Sequence, residues 1–363
     1  MNLLEGGNAR LPSGEQAQKV DLVNLSEKQY EAFKTNIVNV IIEMSNAFNK
    51  EYGHPLFSSE AIKERKIFAG SASVFFNKSK DEYTNFKPTI GDIDVQVNKA
   101  DMNIIKEFLD KSIGKEFAGW KYLGYSKVAL VYCNVFKVNE EYNPQATNVQ
   151  IDFNFVKFNQ EENRPSTFAQ FAHNSDWEDI KQNIKGVAKN ALLPIIYNVV
   201  YATPGILVSK KTHKPTKNQP DDIHTKSYGY NGSREKYQPV KDEKGNQVYV
   251  DGKPAYKEMS TEETPLNTDL NSIFEEMFGK KPTPEELKKL WNYIGVLDLI
   301  EKYLNKDQIK LIYKRFGKSL DDMGVDKEVS ALILKKFKER FSYVDETNEK
   351  MNFSKYVKMI LQG

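Results

Sequence analysis

The sequence predicts an α+β fold: a mixed β-sheet flanked by helices, followed by an all-helical C-terminal domain. Three observations lead there. Residues 90–97 and 149–158 alternate apolar and polar side chains at the two-residue period of a half-buried strand. Phe33, Ile37, Val40, Ile41, Met44 and Phe48 recur at helical spacing. After residue 261 the pattern is helical to the end, and Thr283-Pro284-Glu285-Glu286 is a helix start with a cap, a first-position proline and first-turn acids.

Taken in order, residues 1–25 read as an extended arm carrying Gly6, Gly7, Pro12 and Gly14. Ser26 is an N-cap for the first helix, Gln29 completes a capping box, and Gly53 with Pro55 closes it. Ile67-Phe68-Ala69-Gly70-Ser71-Ala72-Ser73 reads as a short strand or approach segment, then a Gly-Ser turn into a helix. A polar stretch, 77–88, precedes the first alternating strand. A helix is expected at 101–109, one or two strands at 122–138, and a helical region at 176–201 with Pro194 as kink or boundary. Composition shifts near Pro204 toward Lys, Tyr, Gly, Pro and Asp, and Gln247-Val248-Tyr249-Val250 before Asp251-Gly252 reads as a hairpin. The expected organisation is therefore an arm (1–25), a catalytic domain (26–204), a polar, basic and Tyr-rich insertion (205–261) and a helical domain (262–363).

Several classes are excluded early. The apolar run 191–202 is broken by Pro194 and Asn198 and falls short of the ~20 residues a spanning helix needs. The opening residues have no apolar stretch of signal-peptide length. The expectation is a soluble, cytoplasmic protein without a membrane partner. Cys133 is the single cysteine, which rules out an intramolecular disulfide and a multi-cysteine zinc site. Set in an apolar run, it reads as a small buried side chain. His54, His173, His213 and His224 lack zinc-like spacing. Phe316-Gly317-Lys318-Ser319 imitates the end of a phosphate-binding loop, but Ile312 stands where the first glycine is required.

The chemistry-bearing pattern is Gly91-Asp92-Ile93-Asp94-Val95-Gln96-Val97. On a strand, Asp92, Asp94 and Gln96 share one face while Ile93, Val95 and Val97 turn to the core. Adjacent carboxylates repel unless a cation lies between them, and Mg2+ prefers such oxygen ligands. In Val149-Gln150-Ile151-Asp152-Phe153, Asp152 again points away from the apolar set. If the two strands pair, three carboxylates could hold two Mg2+ ions about 3.5–4 Å apart, the arrangement for in-line displacement at phosphorus. Asp152 would be the ligand nearest the attacking hydroxyl. Gly70 allows close backbone approach to phosphate, and Ser71 and Ser73 could add hydrogen bonds. Taken alone, an Asp-x-Asp strand is also compatible with a solvated face.

The order apolar-Gly70-Ser71, then Asp92-Ile93-Asp94-Val95, then Ile151-Asp152-Phe153 resembles the nucleotidyltransferase superfamily, which includes DNA polymerase beta, tRNA CCA-adding enzymes, poly(A) polymerases and small antibiotic nucleotidyltransferases. The resemblance covers residues 67–158. It implies a nucleotidyltransferase core, a nucleoside triphosphate such as ATP, and Mg2+ (or Mn2+), with Gly70 and Ser71 in the phosphate turn and Asp92, Asp94 and Asp152 as metal ligands and catalytic carboxylates. The chain departs from the pattern in the longer gap between Ser71 and Asp92. The opening residues 2–8 and the segment 173–193 also resemble bacteriophage members, which would place the protein in a host cytoplasm.

Lys181, Lys185 and Lys189 fall four apart and are expected to line one helix face, with Lys185 and Lys189 as triphosphate contacts. A solvated basic face is the alternative. Lys210, Lys211, Lys214, Lys217, Lys226, Arg234 and Lys236, interleaved with Tyr228, Tyr230 and Tyr237, suit an RNA acceptor such as a tRNA 3′ end. Asp221, Asp222 and Glu235 dilute that cluster, so a plain solvated loop fits it as well. The expected activity is transfer of a nucleoside monophosphate to an acceptor hydroxyl with release of pyrophosphate. Modification of a protein or small molecule, or a decayed nucleotide-binding or virion-associated protein, are the alternatives.

Overall fold

The computed structural model describes residues 9–345, apart from 139–145, 160, 185, 201, 204, 210, 213, 217–222, 225–226, 229–232, 237, 258–259 and 266–268. The chain divides into two compact units between Gly186 and Val187. Among the described residues no helix is long and apolar enough to cross a membrane. The architecture is mixed α and β, with a helical C-terminal region.

The first unit is built on a five-stranded sheet: β3 (Asp92–Asn98), β4 (Glu116–Phe117), β5 (Trp120–Val128), β6 (Val131–Lys137) and β7 (Asn148–Val156), in the order β3-β7-β6-β5-β4. Two short strands, β1 (Val20–Asp21) and β2 (Thr89–Ile90), pair antiparallel just before β3. β3 and β7 run parallel; the other pairs are antiparallel. Ile93, Val95, Val97, Ile151, Phe153 and Phe155 are buried on the core face. Two helices join that core, α1 (Glu27–Tyr52) and, after the intervening short helices, Met102–Ser112. Ser26 and Gln29 form the expected reciprocal cap of α1, and Gly53 ends it in the left-handed conformation at φ 81°. Phe33 of α1 meets Trp120 of β5 with ring centroids 6.0 Å apart. Asn134 is a buried polar group inside this core, and it is satisfied. It accepts from the Tyr122 hydroxyl (2.9 Å) and donates to the carbonyls of Tyr132 and Ile151 (2.9 Å each).

Between α1 and β3 lie α2 (Ser59–Lys63), α3 (Ala72–Phe75) and α4 (Lys80–Thr84). The polar stretch 77–88 is therefore partly ordered as α4, which has its own Ser79–Glu82 capping box. Its Tyr83 is fully buried and packs on Phe75 of α3. Numbering continues with α5 (Met102–Ser112), α6 (Thr167–His173) and α7 (Trp177–Lys181). A further strand pair, β8 (Phe158–Asn159) and β9 (Arg164–Pro165), follows β7. The arm residues 9–22 lie on the sheet. Leu11 and Ala17 pack on Val135, the Gln18 N–H donates to the Asn148 carbonyl at 3.0 Å, and the Leu22 N–H donates to the Pro88 carbonyl at 2.9 Å.

The helix expected across 176–201 is two helices. α7 ends at Lys181, Asn183 turns the chain with φ 55°, and α8 (Val187–Val200) begins after Gly186, with Pro194 inside it. The lysine row therefore does not line one helix face. Lys181 belongs to α7 and pairs with Glu178 at 2.6 Å, Lys189 belongs to α8, and Lys185 lies outside the described residues.

In the second unit, Ile206–Val208 pairs in parallel with Lys253–Lys257. Tyr249–Val250 forms the expected hairpin with the latter through Asp251-Gly252, both at positive φ (50° and 72°). A second small sheet contains Ser260–Pro265, so helix begins only at α9 (Leu270–Phe278). α10 (Pro284–Lys289), α11 (Tyr293–Tyr303), α12 (Lys306–Asp322) and α13 (Lys327–Arg340) follow. Thr283 caps α10 as expected. Phe316-Gly317-Lys318-Ser319 lies within α12, with Phe316 fully buried, which is no phosphate loop.

Candidate metal centre

The parallel pairing of β3 with β7 sets Asp94 opposite Asp152 and Asp92 opposite Gln150. Side chains at paired positions share a face, so both strands' carboxylates project from the same side of the sheet. One oxygen of each of Asp92, Asp94 and Asp152 lies within 4.8 Å of the others. Asp92 and Asp94 are half-buried and Asp152 is buried. Gln96, expected on the same face, is instead sealed. It is fully buried and its amide donates to the Ala169 carbonyl at 2.9 Å, beneath α6.

Each inner carboxylate is held by a neighbouring amide. Gln150 donates to both oxygens of Asp152 (2.8 and 2.9 Å) and accepts from the Ala9 N–H at 3.0 Å. Asn154 donates to Asp94 Oδ1 at 2.9 Å. Cys133 pairs with Asp152 in the antiparallel β6–β7 register, which sets its thiol beside that carboxylate. The cysteine is buried, as its apolar surroundings imply, but on the carboxylate face rather than among the apolar core residues. Burial first, then Asp152 beside it, pushes the Cys133 thiol well above its usual range.

Burial, and next the charge of Asp92, push Asp94 up to about 7; Asn154 and Lys87 act in the opposite direction. Asp152 is raised well above the ordinary carboxylate range by burial and by Asp94 and Asp92. Three carboxylates on one sheet face, two of them unfavourable to ionise together, form a hard oxygen donor set that a divalent cation would relieve. The residues present thus fit such an ion, and among the described residues no other cluster of three such ligand side chains occurs.

Gly70 is part of the centre for a reason other than the expected one. Its N–H donates to the His173 carbonyl at 2.9 Å, so it is engaged within the fold. Its φ is +55°, and a Cβ there would lie 2.2 Å from Asp94 Oδ2. The glycine is needed because the Asp94 carboxylate occupies the space where a side chain would begin. Ser73 donates its hydroxyl proton to the Gly70 carbonyl at 2.7 Å. The N–H groups of Ser71 and Ala72 donate to no backbone carbonyl among the described residues. Ser71 Oγ accepts from Lys87 Nζ at 2.5 Å. Sequence reasoning passed over Lys87 because it lies at the end of the polar stretch before β2. Its one signal is position: a lysine five residues before Asp92, where the Asp-x-Asp strand begins.

Compared with family models, with curated proteins and with solved structures, the chain finds no match. What the centre can do follows from its own chemistry.

The remaining expected contacts are placed as follows. Lys189 is buried in the second unit, with Nζ 5.9 Å from the Trp291 ring centroid. Lys211 and Lys214 are exposed. Lys210, Lys217, Lys226, Tyr230 and Tyr237 lie outside the described residues, as do the side chains of Tyr228, Arg234 and Lys236.

A carboxylate whose pKa rises on folding destabilises the folded state once it ionises, so its unfavourable contribution grows as pH climbs from the unfolded value, about 4, to about 7. Asp94→Asn should therefore raise the metal-free melting temperature at pH 8 and leave it nearly unchanged at pH 4. Stabilisation by added Mg2+ or Mn2+ should disappear in the same variant; thermal melts at both pH values check this. Gly70→Ala should displace Asp94 and weaken Mn2+ binding about ten-fold or more, as read by titration calorimetry.

Proposed function

We propose that the chain is a metal-dependent nucleotidyltransferase that moves a nucleoside monophosphate from a nucleoside triphosphate to an acceptor hydroxyl. One observation carries the reading: the β3–β7 register brings Asp92, Asp94 and Asp152 within 4.8 Å of one another on one sheet face. A structural ion pair explains such a cluster poorly, since it collects like charges that cost free energy when buried. Phosphoryl chemistry with divalent metal gives them a use.

Asp92, Asp94 and Asp152 would hold the metal. Bound divalent metal, two Mg2+ ions or Mn2+ in their place, would neutralise phosphate charge and acidify the acceptor hydroxyl. Gln150 and Asn154 orient the Asp152 and Asp94 carboxylates before substrate arrives. The acceptor oxygen attacks the α-phosphorus and forms a new P–O bond. The bond from that phosphorus to the bridging oxygen breaks, and pyrophosphate leaves with the electron pair. The hydroxyl proton would pass to Asp152, whose carboxylate is ionised when metal is bound and is held in place by Gln150. Ser71, with its backbone N–H and hydroxyl, is the group of the Gly-Ser turn that can meet phosphate oxygen. The acceptor class we favour is RNA, a tRNA 3′ end among the candidates, on the basic and tyrosine-rich composition of 205–261.

Transfer of α-phosphate label from each nucleoside triphosphate, with Mg2+ and total bacterial RNA and protein as acceptors, tests the proposal. Label should enter one macromolecule class, and Asp92→Ala/Asp94→Ala should lower the rate at least about 10³-fold. An RNA acceptor should show binding that falls steeply with salt. Labelling unchanged by the double substitution would exclude these carboxylates from the chemistry. No label with any nucleotide would favour a binding protein.

A further inference from the structure

We infer that Lys87 is a two-position cation: it balances the aspartate cluster when no metal is bound and turns to the outer phosphates of a nucleoside triphosphate when metal is present. This rests on the nucleotidyl-transfer reading of the same centre and adds a residue to it. Lys87 Nζ donates to Ser71 Oγ at 2.5 Å, and its charge acts on Asp94. Its bond to Ser71 sets the ammonium at the Gly-Ser turn, next to the glycine whose missing side chain admits the Asp94 carboxylate.

Two further features point to a ligand at this corner. Tyr83, fully buried in α4, brings its hydroxyl beside Ser71 without forming a hydrogen bond of good geometry. A buried hydroxyl left in that state is uncommon, and a shift of Ser71 toward a bound group would complete it. Ser71 has one proton and two lone pairs. With one lone pair taken by Lys87, its proton remains for an acceptor, and a phosphate oxygen is such an acceptor. The second feature is charge. Once the carboxylates are ionised to hold metal, three of them and one ammonium leave two formal negative charges, which one divalent ion cancels. A second divalent ion makes the centre positive, and the ammonium is then repelled from the carboxylates toward whatever anion arrives. A triphosphate supplies that anion, and a lysine on a flexible four-carbon stem can follow it.

The same charge that relieves the empty centre opposes incoming metal, so loss of Lys87 has effects of opposite sign on two ligands. The test uses Mn2+ alone and inorganic tripolyphosphate with Mn2+, each titrated into the full chain and read by calorimetry and Mn2+ paramagnetic resonance. Lys87→Met should bind Mn2+ alone about five-fold tighter and tripolyphosphate about ten-fold more weakly, while Lys87→Arg should stay within about two-fold of wild type for both. Failure of either shift in Lys87→Met overturns the inference. Melting curves accompany each variant, and Lys87→Gln replaces Lys87→Met if the latter does not fold. Wild-type protein that holds no Mn2+ overturns the inference together with the transferase reading. Both shifts present, with no labelled product from any nucleotide, would uphold the role of Lys87 as a triphosphate contact and remove the transfer reaction alone.

Discussion

The parallel ladder between β3 and β7 is the constraint on which the rest depends. It fixes Asp94 against Asp152 with no freedom to slide, because a one-residue slip would turn Ile93 and Ile151 out of the core. The apolar face therefore chooses the register, and the register forces three acids together on the opposite face. Burial of the core residues stabilises the unit, while the carboxylates oppose it. The site is a local electrostatic cost held in place by packing elsewhere, the usual relation between a functional centre and its scaffold.

Much of this was legible in the chain. The period of two in residues 90–97 and 149–158 already separates core from carboxylate face, and the Ser26–Gln29 box and the Asp251-Gly252 turn announce local structure that forms as expected. What local pattern cannot carry is the fate of the face that looks polar. Gln96 has the same spacing as Asp92 and Asp94, yet α6 covers it and takes its amide. The lysine row at 181, 185 and 189 has helical spacing but no single helix, because Asn183 adopts a left-handed conformation that spacing does not register. Lys87 was hidden for a related reason. A short capped helix in a polar stretch gives little periodic signal, and only the fold carries that lysine to Ser71.

Glycine 70 shows how the same residue type can be right for a different reason. The expectation was close backbone approach to phosphate; in the structure the Gly70 N–H donates to the His173 carbonyl, and the missing side chain admits Asp94. The amide supports follow the same logic of close fit. Gln150 and Asn154 lie at strand positions two residues either side of Asp152, so the alternation that turns the acid to this face also supplies the amides that hold Asp152 and Asp94.

The link from Ala9 to Gln150 has a consequence for how the molecule is made. These partners are separated by 141 residues, and Gln150 is the group that holds Asp152. As the chain emerges from the ribosome, residues 9–18 are synthesised well before β7, on which they dock. The contacts of the arm with β7 therefore cannot form before β7 itself is in place. Contacts of such long sequence separation slow folding, since loop closure is paid before the contact is gained. The bond that steadies the Gln150 amide beside the third carboxylate is thus one of long sequence separation, formed at the entropic cost of closing a large loop.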